Sequence, residues 1–164
     1  MKFRYLMFPL FLLMLGSTAV SAGEAADKLP ATGTHRSPSS DGASVSFKTP
    51  QDGDIVPLTF TVKFLVSGMG IAPAGSKIDN TGHHHLLIDV TEMPDMNLPL
   101  PATDHIRHFG KGQTEAELTL QEGEHTLQLL FADYSHTPHE PPVLSDKVTI
   151  TVSADALPRG EDEE

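Results

Sequence analysis

Thr81-Gly82-His83-His84-His85-Leu86-Leu87-Ile88-Asp89-Val90 is the stretch around which the chain is organised. In an extended backbone, successive side chains point to opposite faces. That alternation puts His84, Leu86, Ile88 and Val90 on one side and His83, His85, Leu87 and Asp89 on the other. The first set reads as a core face, with His84 as a core histidine bonded to backbone. The second offers two imidazoles at i and i+2, close enough for one metal ion to bind both, with a carboxylate further along the same face. Outward from this strand, His105 and His108 follow, then His125, then Asp133, His136 and His139. Of the chain's nine histidines, only His35 lies far from this region.

The chain has 164 residues, a length that suits one domain with a modest core. Residues 1–22 stand apart from that domain. Met1-Lys2-Phe3-Arg4 is a positive start, Tyr5 to Leu15 is an apolar run too short for a membrane span, and Val20-Ser21-Ala22 offers small residues for cleavage. This predicts a signal peptide cut after Ala22 and a periplasmic or secreted protein with no membrane span after cleavage. Losing Lys2 and Arg4 takes the formal net charge from -11, by two, to -13. So acidic a protein is repelled by nucleic-acid phosphate, so nucleic acid is not an expected partner. With no cysteine there is neither a disulfide framework nor a thiolate ligand, so a metal would be held by nitrogen, oxygen or thioether.

Residues 23–42 have linker composition, and a tether is expected there, with His35 as a solvated bystander. From residue 43 onward the pattern alternates. Val45 and Phe47 are spaced by two, and Pro57 to Val66 places Leu58, Phe60, Val62, Phe64 and Val66 against Thr59, Thr61 and Lys63. After the histidine strand, Glu92 to Gly112 reads as a long loop carrying Met93, Met96, His105 and His108. Thr114 to Leu120 and Glu124 to Asp133 read as a hairpin turned by Gln121-Glu122-Gly123. A polar loop from Tyr134 to Pro142 then carries His136 and His139, and Val143 to Val152 closes the domain. Residues 154–164, ending Glu-Asp-Glu-Glu, read as an acidic disordered tail. No segment has sustained helical periodicity. The expected fold is all-β, an immunoglobulin-like β-sandwich of six or seven strands over residues 43–153.

Three stretches together resemble a family of bacterial exported domains with no assigned function. They are Gly68 to Gly75 running into Asn80-Thr81-Gly82-His83-His84-His85-Leu86-Leu87-Ile88-Asp89, then His108-Phe109-Gly110-Lys111-Gly112-Gln113-Thr114-Glu115, then His125 to Leu130 with His136-Thr137-Pro138-His139-Glu140-Pro141-Pro142-Val143. The resemblance covers residues 44 to 152 and implies a single periplasmic β-domain without a known activity. It also implies His-Ile-His before Phe-Gly, whereas Arg107 intervenes here between Ile106 and His108. That changes which of His105 and His108 can face a shared site.

The candidate metal ligands are His83, His85, His105, His108, His136 and His139, with Asp133 nearby. Loops gathered at one end of a sandwich can bring such segments together. Imidazole and carboxylate donors point to copper or zinc, and Met69, Met93 and Met96 read as packing rather than as thioether ligands. His125 is assigned to the fold, at a corner where a ring can bond back to the backbone. The competing reading is a non-catalytic interaction module that binds another envelope protein, its histidines serving as polar loop residues. An enzyme is not favoured. There is no Gly-x-Ser-x-Gly elbow and no cysteine, and Gly23 rather than histidine becomes the first residue after cleavage.

Overall fold

The computed structural model describes residues 36–157. The expected signal peptide, most of the expected linker and the end of the acidic tail lie outside the described residues. Ten strands and no helix are found among the described residues: β1 (Ser44–Thr49), β2 (Ile55–Val56), β3 (Thr59–Ser67), β4 (Gly70–Ile71), β5 (Thr81–Ile88), β6 (Ile106–His108), β7 (Glu115–Thr119), β8 (Gly123–Ala132), β9 (Pro138–Leu144) and β10 (Val148–Val152). They form two sheets, one of three strands in the order β1-β3-β7 and one of seven built on β2-β10-β8-β5-β4, with β6 added to β5 and β9 added to β8. The architecture is an all-β sandwich. The strand count exceeds six or seven because β2, β4 and β6 are pieces of two or three residues, too short to show alternation.

The alternating residues of β3 drive the packing of the small sheet. Phe60, Val62 and Phe64 are buried while Thr59 and Thr61 are exposed. Register puts Val45 and Phe47 of β1 beside Val66 and Phe64, and Leu118 of β7 beside Phe60. Opposite them, Leu86 and Ile88 of β5, Leu127, Leu129 and Phe131 of β8, and Ile150 and Val152 of β10 complete one apolar layer. Truncating a side chain such as Leu129, fully buried here, costs about 2–5 kcal/mol.

Three connections differ from the sequence reading. β7 and β8 do not form a hairpin: β7 pairs with β3 and β8 with β5 and β10, so Gln121-Glu122 cross from one sheet to the other. The long 92–112 loop contains β6, and the expected polar loop ends at β9. Prolines are tolerated in β9 because it lies on a sheet edge and meets β8 at only a few positions, with a register shift between Phe131 and Ala132. Arg36 to Ser39, at the end of the expected linker, bind to the domain: Pro38 bridges Glu140 in parallel, and Ser39 N donates to the Glu140 carbonyl at 3.0 Å.

The outer face of the large sheet is covered as well. Leu87, Leu130 and Ala132 point away from the sandwich and pack with Leu100 and Ile106, joined by Val90 and Met96. Segment 89–105 therefore folds back over β5 and makes a second small core. Asp89, at φ +54°, leaves the extended conformation, and this moves Val90 from the expected sandwich side to the outer one. β5 is consequently buried on both faces.

His125 sits at the crossing. It keeps the parity of Leu127 and Leu129 but reaches only the rim, half-buried. Its Nε2 bonds the Gln121 carbonyl at 3.0 Å and its Nδ1 bonds Asp89 Oδ2 at 2.7 Å, while Thr126 N donates to Asp89 Oδ1 at 2.8 Å. Burial pulls the imidazole pKa down, but the Asp89 carboxylate and the Gln121 carbonyl outweigh it and raise it above the ordinary value of 6.5. A raised folded pKa adds stability that is fully present below pH 6.5 and is lost as pH rises through the folded value. Asp89→Asn keeps the bond to Thr126 and tolerates the positive φ, but removes the charge pair. Thermal melts should therefore show it about 0.5 kcal/mol more destabilising at pH 5.5 than at pH 8.5, the value of an exposed ion pair. An equal effect at both pH values would contradict this pairing.

Candidate metal centre

On the outer face of β5, His83 and His85 project from alternate positions. Both are buried, at 0% and 1% exposure, because β6 and segment 89–105 close over this face. The antiparallel register of β5 with β6 sets His108 directly opposite His85 and Ile106 opposite Leu87. Ile106 and His108 share this outer face, so Arg107, opposite Leu86, takes the other face, where it is exposed, and it is His108 rather than His105 that joins the strand histidines. The fourth imidazole comes from the turn between β8 and β9. There His136 N donates to the Asp133 carbonyl at 2.9 Å and His136 adopts φ +68°.

The four rings converge. Ring centroids are 4.8 Å apart for His83 and His85, 4.9 Å for His83 and His108, 5.0 Å for His85 and His108, and 4.6 Å for His108 and His136. His136 is 5.2 Å from His83 and 6.0 Å from His85. One ring nitrogen from each of His83, His85 and His108 falls within 4.8 Å of the other two. A zinc ion held by all three would take each nitrogen at roughly 2.0–2.1 Å and so would draw them closer together. His108 is exposed, so two buried imidazoles form the floor of the site and the other two its mouth.

Among the described residues, neither ring nitrogen of His83 or of His85 has a hydrogen-bond partner. An unmet buried polar group costs about 1–3 kcal/mol, and buried groups are normally paired. A bound ion would satisfy one nitrogen on each ring. The rings are also held neutral, the form that binds metal. Burial, then the neighbouring His108 and His136, lower the His83 pKa to about 4 against a weak opposing pull from Asp133. Burial, then His83, His108 and His136, lower that of His85 to about 2. Burial and His136 lower His108 as well.

Backbone hydrogen bonds tie the surrounding segments together. Ala74 N donates to the Gly110 carbonyl at 2.8 Å, Gly75 N to that of Tyr134 at 2.8 Å, and Leu100 N to that of His136 at 2.9 Å. Gly110 lies against the His108 ring so closely that a Cβ there would overlap it. The glycine spacing after His108 thus has a packing reason that is invisible without the ring's position.

The other candidates are engaged elsewhere. His105 Nδ1 bonds the Ile88 carbonyl at 2.9 Å. His139 turns into the sandwich, 6.0 Å from the Phe131 ring, with Nδ1 near the Ser37 carbonyl at 3.3 Å. Asp133 organises its own turn. Its Oδ1 accepts from Ser135 N at 2.8 Å, Ser135 Oγ at 2.7 Å and Thr137 N at 3.1 Å, and its Oδ2 from Ser37 Oγ at 2.6 Å. Burial pushes that carboxyl up, but these bonds outweigh it and hold the pKa below the ordinary range. His84 lies in the core between Phe64 and Phe131, at 5.1 and 5.0 Å. Its nitrogens lie near the Gln113 and Leu65 carbonyls without bonding geometry, and burial lowers its pKa to about 4.

The lowered pKa values carry a stability consequence. His83 and His85 are neutral in the folded, metal-free protein and take up protons below pH 6.5 when unfolded. Stability present above pH 6.5 is therefore lost as pH falls toward the folded value of about 4 for His83. Each such group contributes about 1.4 kcal/mol per pH unit within that window. In denaturant titrations of metal-free protein, His85→Leu should fall less steeply between pH 6 and pH 4.5 than the parent. Parallel slopes would show that His85 is not held neutral by folding.

No curated protein and no solved structure matches this chain. A family described as a domain of unknown function, DUF4399, matches it over residues 62–153, a span that holds all four converging histidines. Because that span exceeds half of the 164 residues, the protein belongs to this family of domains of unknown function.

Proposed function

We propose that the protein is an exported, periplasmic binding protein that captures one divalent ion, copper(II) or zinc(II), on His83, His85 and His108, with His136 as the fourth ligand. The observation that carries this reading is a pair of buried, neutral imidazoles with unpartnered nitrogens, facing two more imidazoles at the surface. The donor set is all nitrogen. Met69 packs against the sandwich core and Met96 against the second core, so these thioethers serve packing and the site does not select soft copper(I). Among divalent ions, imidazole suits both zinc and copper, and copper(II) binds nitrogen sites more tightly. His83 and His85 supply the enclosed floor, while the exposed His108 gives an ion a way in.

Calorimetric titration of the purified protein with copper(II) and with zinc(II) at pH 7.5 should give one ion per chain. Losing even an outer partner of a ligand costs roughly 10–100-fold in affinity, so His85→Ala should weaken binding by more than about 100-fold. His105→Ala and His125→Ala should leave the affinity of the folded protein unchanged. Failure of the parent to bind either ion would refute the reading. A loss in His105→Ala equal to that in His85→Ala would refute the choice of ligands.

A further inference from the structure

Of the four converging histidines, three sit on paired strands and one does not. His136 belongs to a turn, and it holds a left-handed backbone conformation, φ +68°, that a side-chain-bearing residue keeps only when its surroundings over-determine it. On one side, Leu100 N binds the His136 carbonyl at 2.9 Å. On the other, the turn is closed by the buried Asp133 carboxylate, whose Oδ1 gathers Ser135 N, Ser135 Oγ and Thr137 N on either side of His136 in sequence. That carboxylate is itself fixed from a distant part of the chain, since Ser37 Oγ donates to Asp133 Oδ2 at 2.6 Å.

Ser37 is held in turn by a strap. Residues 36–39 run beside the free edge of β9, with Glu140 N donating to the Ser37 carbonyl at 2.9 Å and Ser39 N to the Glu140 carbonyl at 3.0 Å. The Arg36 guanidinium binds the Pro138 carbonyl at 2.9 Å and also reaches the His139 carbonyl and the Glu140 carboxylate. This strap lies upstream of the family match, which begins at residue 62. It is therefore an addition to the matched span that touches the candidate metal centre through one carboxylate.

We infer that Asp133, anchored by Ser37 of the strap, is the positioning residue that holds His136 against His83, His85 and His108, so the segment just before the sandwich sets how tightly the site holds its ion. The inference rests on the metal reading above, and a single set of variants separates the two. Zinc affinity is measured by competition with a chromophoric chelator, and copper(II) by the nitrogen hyperfine pattern of its electron paramagnetic resonance spectrum. The proteins are the parent, Ser37→Ala, Ser37→Thr, Asp133→Ala, His136→Ala and the double variant Ser37→Ala/His136→Ala.

Ser37→Ala should weaken zinc roughly tenfold and Asp133→Ala by roughly 10–100-fold, the range for outer-shell partners of metal ligands. Both should shift the copper spectrum toward that of His136→Ala, and Ser37→Thr, which keeps the hydroxyl, should restore parent behaviour. The double variant should bind no more weakly than His136→Ala alone, because the strap acts through that imidazole. If Asp133→Ala does not fold, the half-buried Ser37 decides the matter. Parent affinity and spectrum in Ser37→Ala, alongside a clear loss in His136→Ala, would overturn the inference and leave the metal reading intact. A double variant whose losses multiply would also overturn it. A parent protein that takes neither ion would overturn both.

Discussion

Desolvation of two imidazoles is the constraint on which the rest of this structure turns. His83 and His85 are packed away from water with four ring nitrogens unpartnered among the described residues, on a strand that is paired on both sides within the larger sheet. A domain of modest size tolerates such a cost where the site has a use for it, and stored strain of this kind is characteristic of functional positions. Burial keeps the rings unprotonated at neutral pH, and proximity discourages protonation further, because a charge on one ring disfavours charge on the next. The same burial and crowding that make the cluster costly leave its ring nitrogens unprotonated and available as donors.

The fold supplies both the burial and the rigidity. The larger core lies on the other side of β5, where Leu86, Ile88, Phe131 and the β3 aromatics pack. That face is then covered by a second apolar cluster built from Leu87, Leu100, Ile106 and Leu130. The histidines occupy the end of the face that this cluster leaves polar. Side chains on paired strands are held more closely than side chains on loops. Three of the four converging histidines sit on β5 and β6 in fixed register. The turn that carries His136 is irregular, and a network of backbone and carboxylate hydrogen bonds surrounds it where strand pairing is absent.

Much of this was legible in the residues, and what was not has physical causes. Period-two alternation in β3 was strong enough to indicate a sandwich, and in Thr81 to Ile88 strand parity alone separated His84 from His83 and His85. Pairing between distant segments leaves no such local mark. β6 is three residues long, so the 92–112 stretch reads as a loop, and nothing local shows that His108 rather than His105 stands beside His85. β7 and β8 have the composition of a hairpin, yet each buries its apolar side against a different sheet. Proline-rich β9 hides its strand character because an edge needs few ladder bonds. Asp133 drew notice as a carboxylate near histidines, a signal that cannot distinguish a ligand from a residue that folds the turn around one. The role of residues 36–39 was hidden by their linker composition, since their attachment runs through backbone groups and one arginine.

X-ray absorption spectroscopy at the zinc edge, on protein loaded with one equivalent of zinc, tests the central claim most directly because it sees the ion's neighbours and nothing else. Zinc held by the four histidines gives a first shell of nitrogen at about 2.0–2.1 Å with the outer-shell scattering of three to four imidazoles. A shell dominated by oxygen, or one with fewer than three imidazoles, would show that His83, His85, His108 and His136 converge for a structural reason and that the ion binds elsewhere.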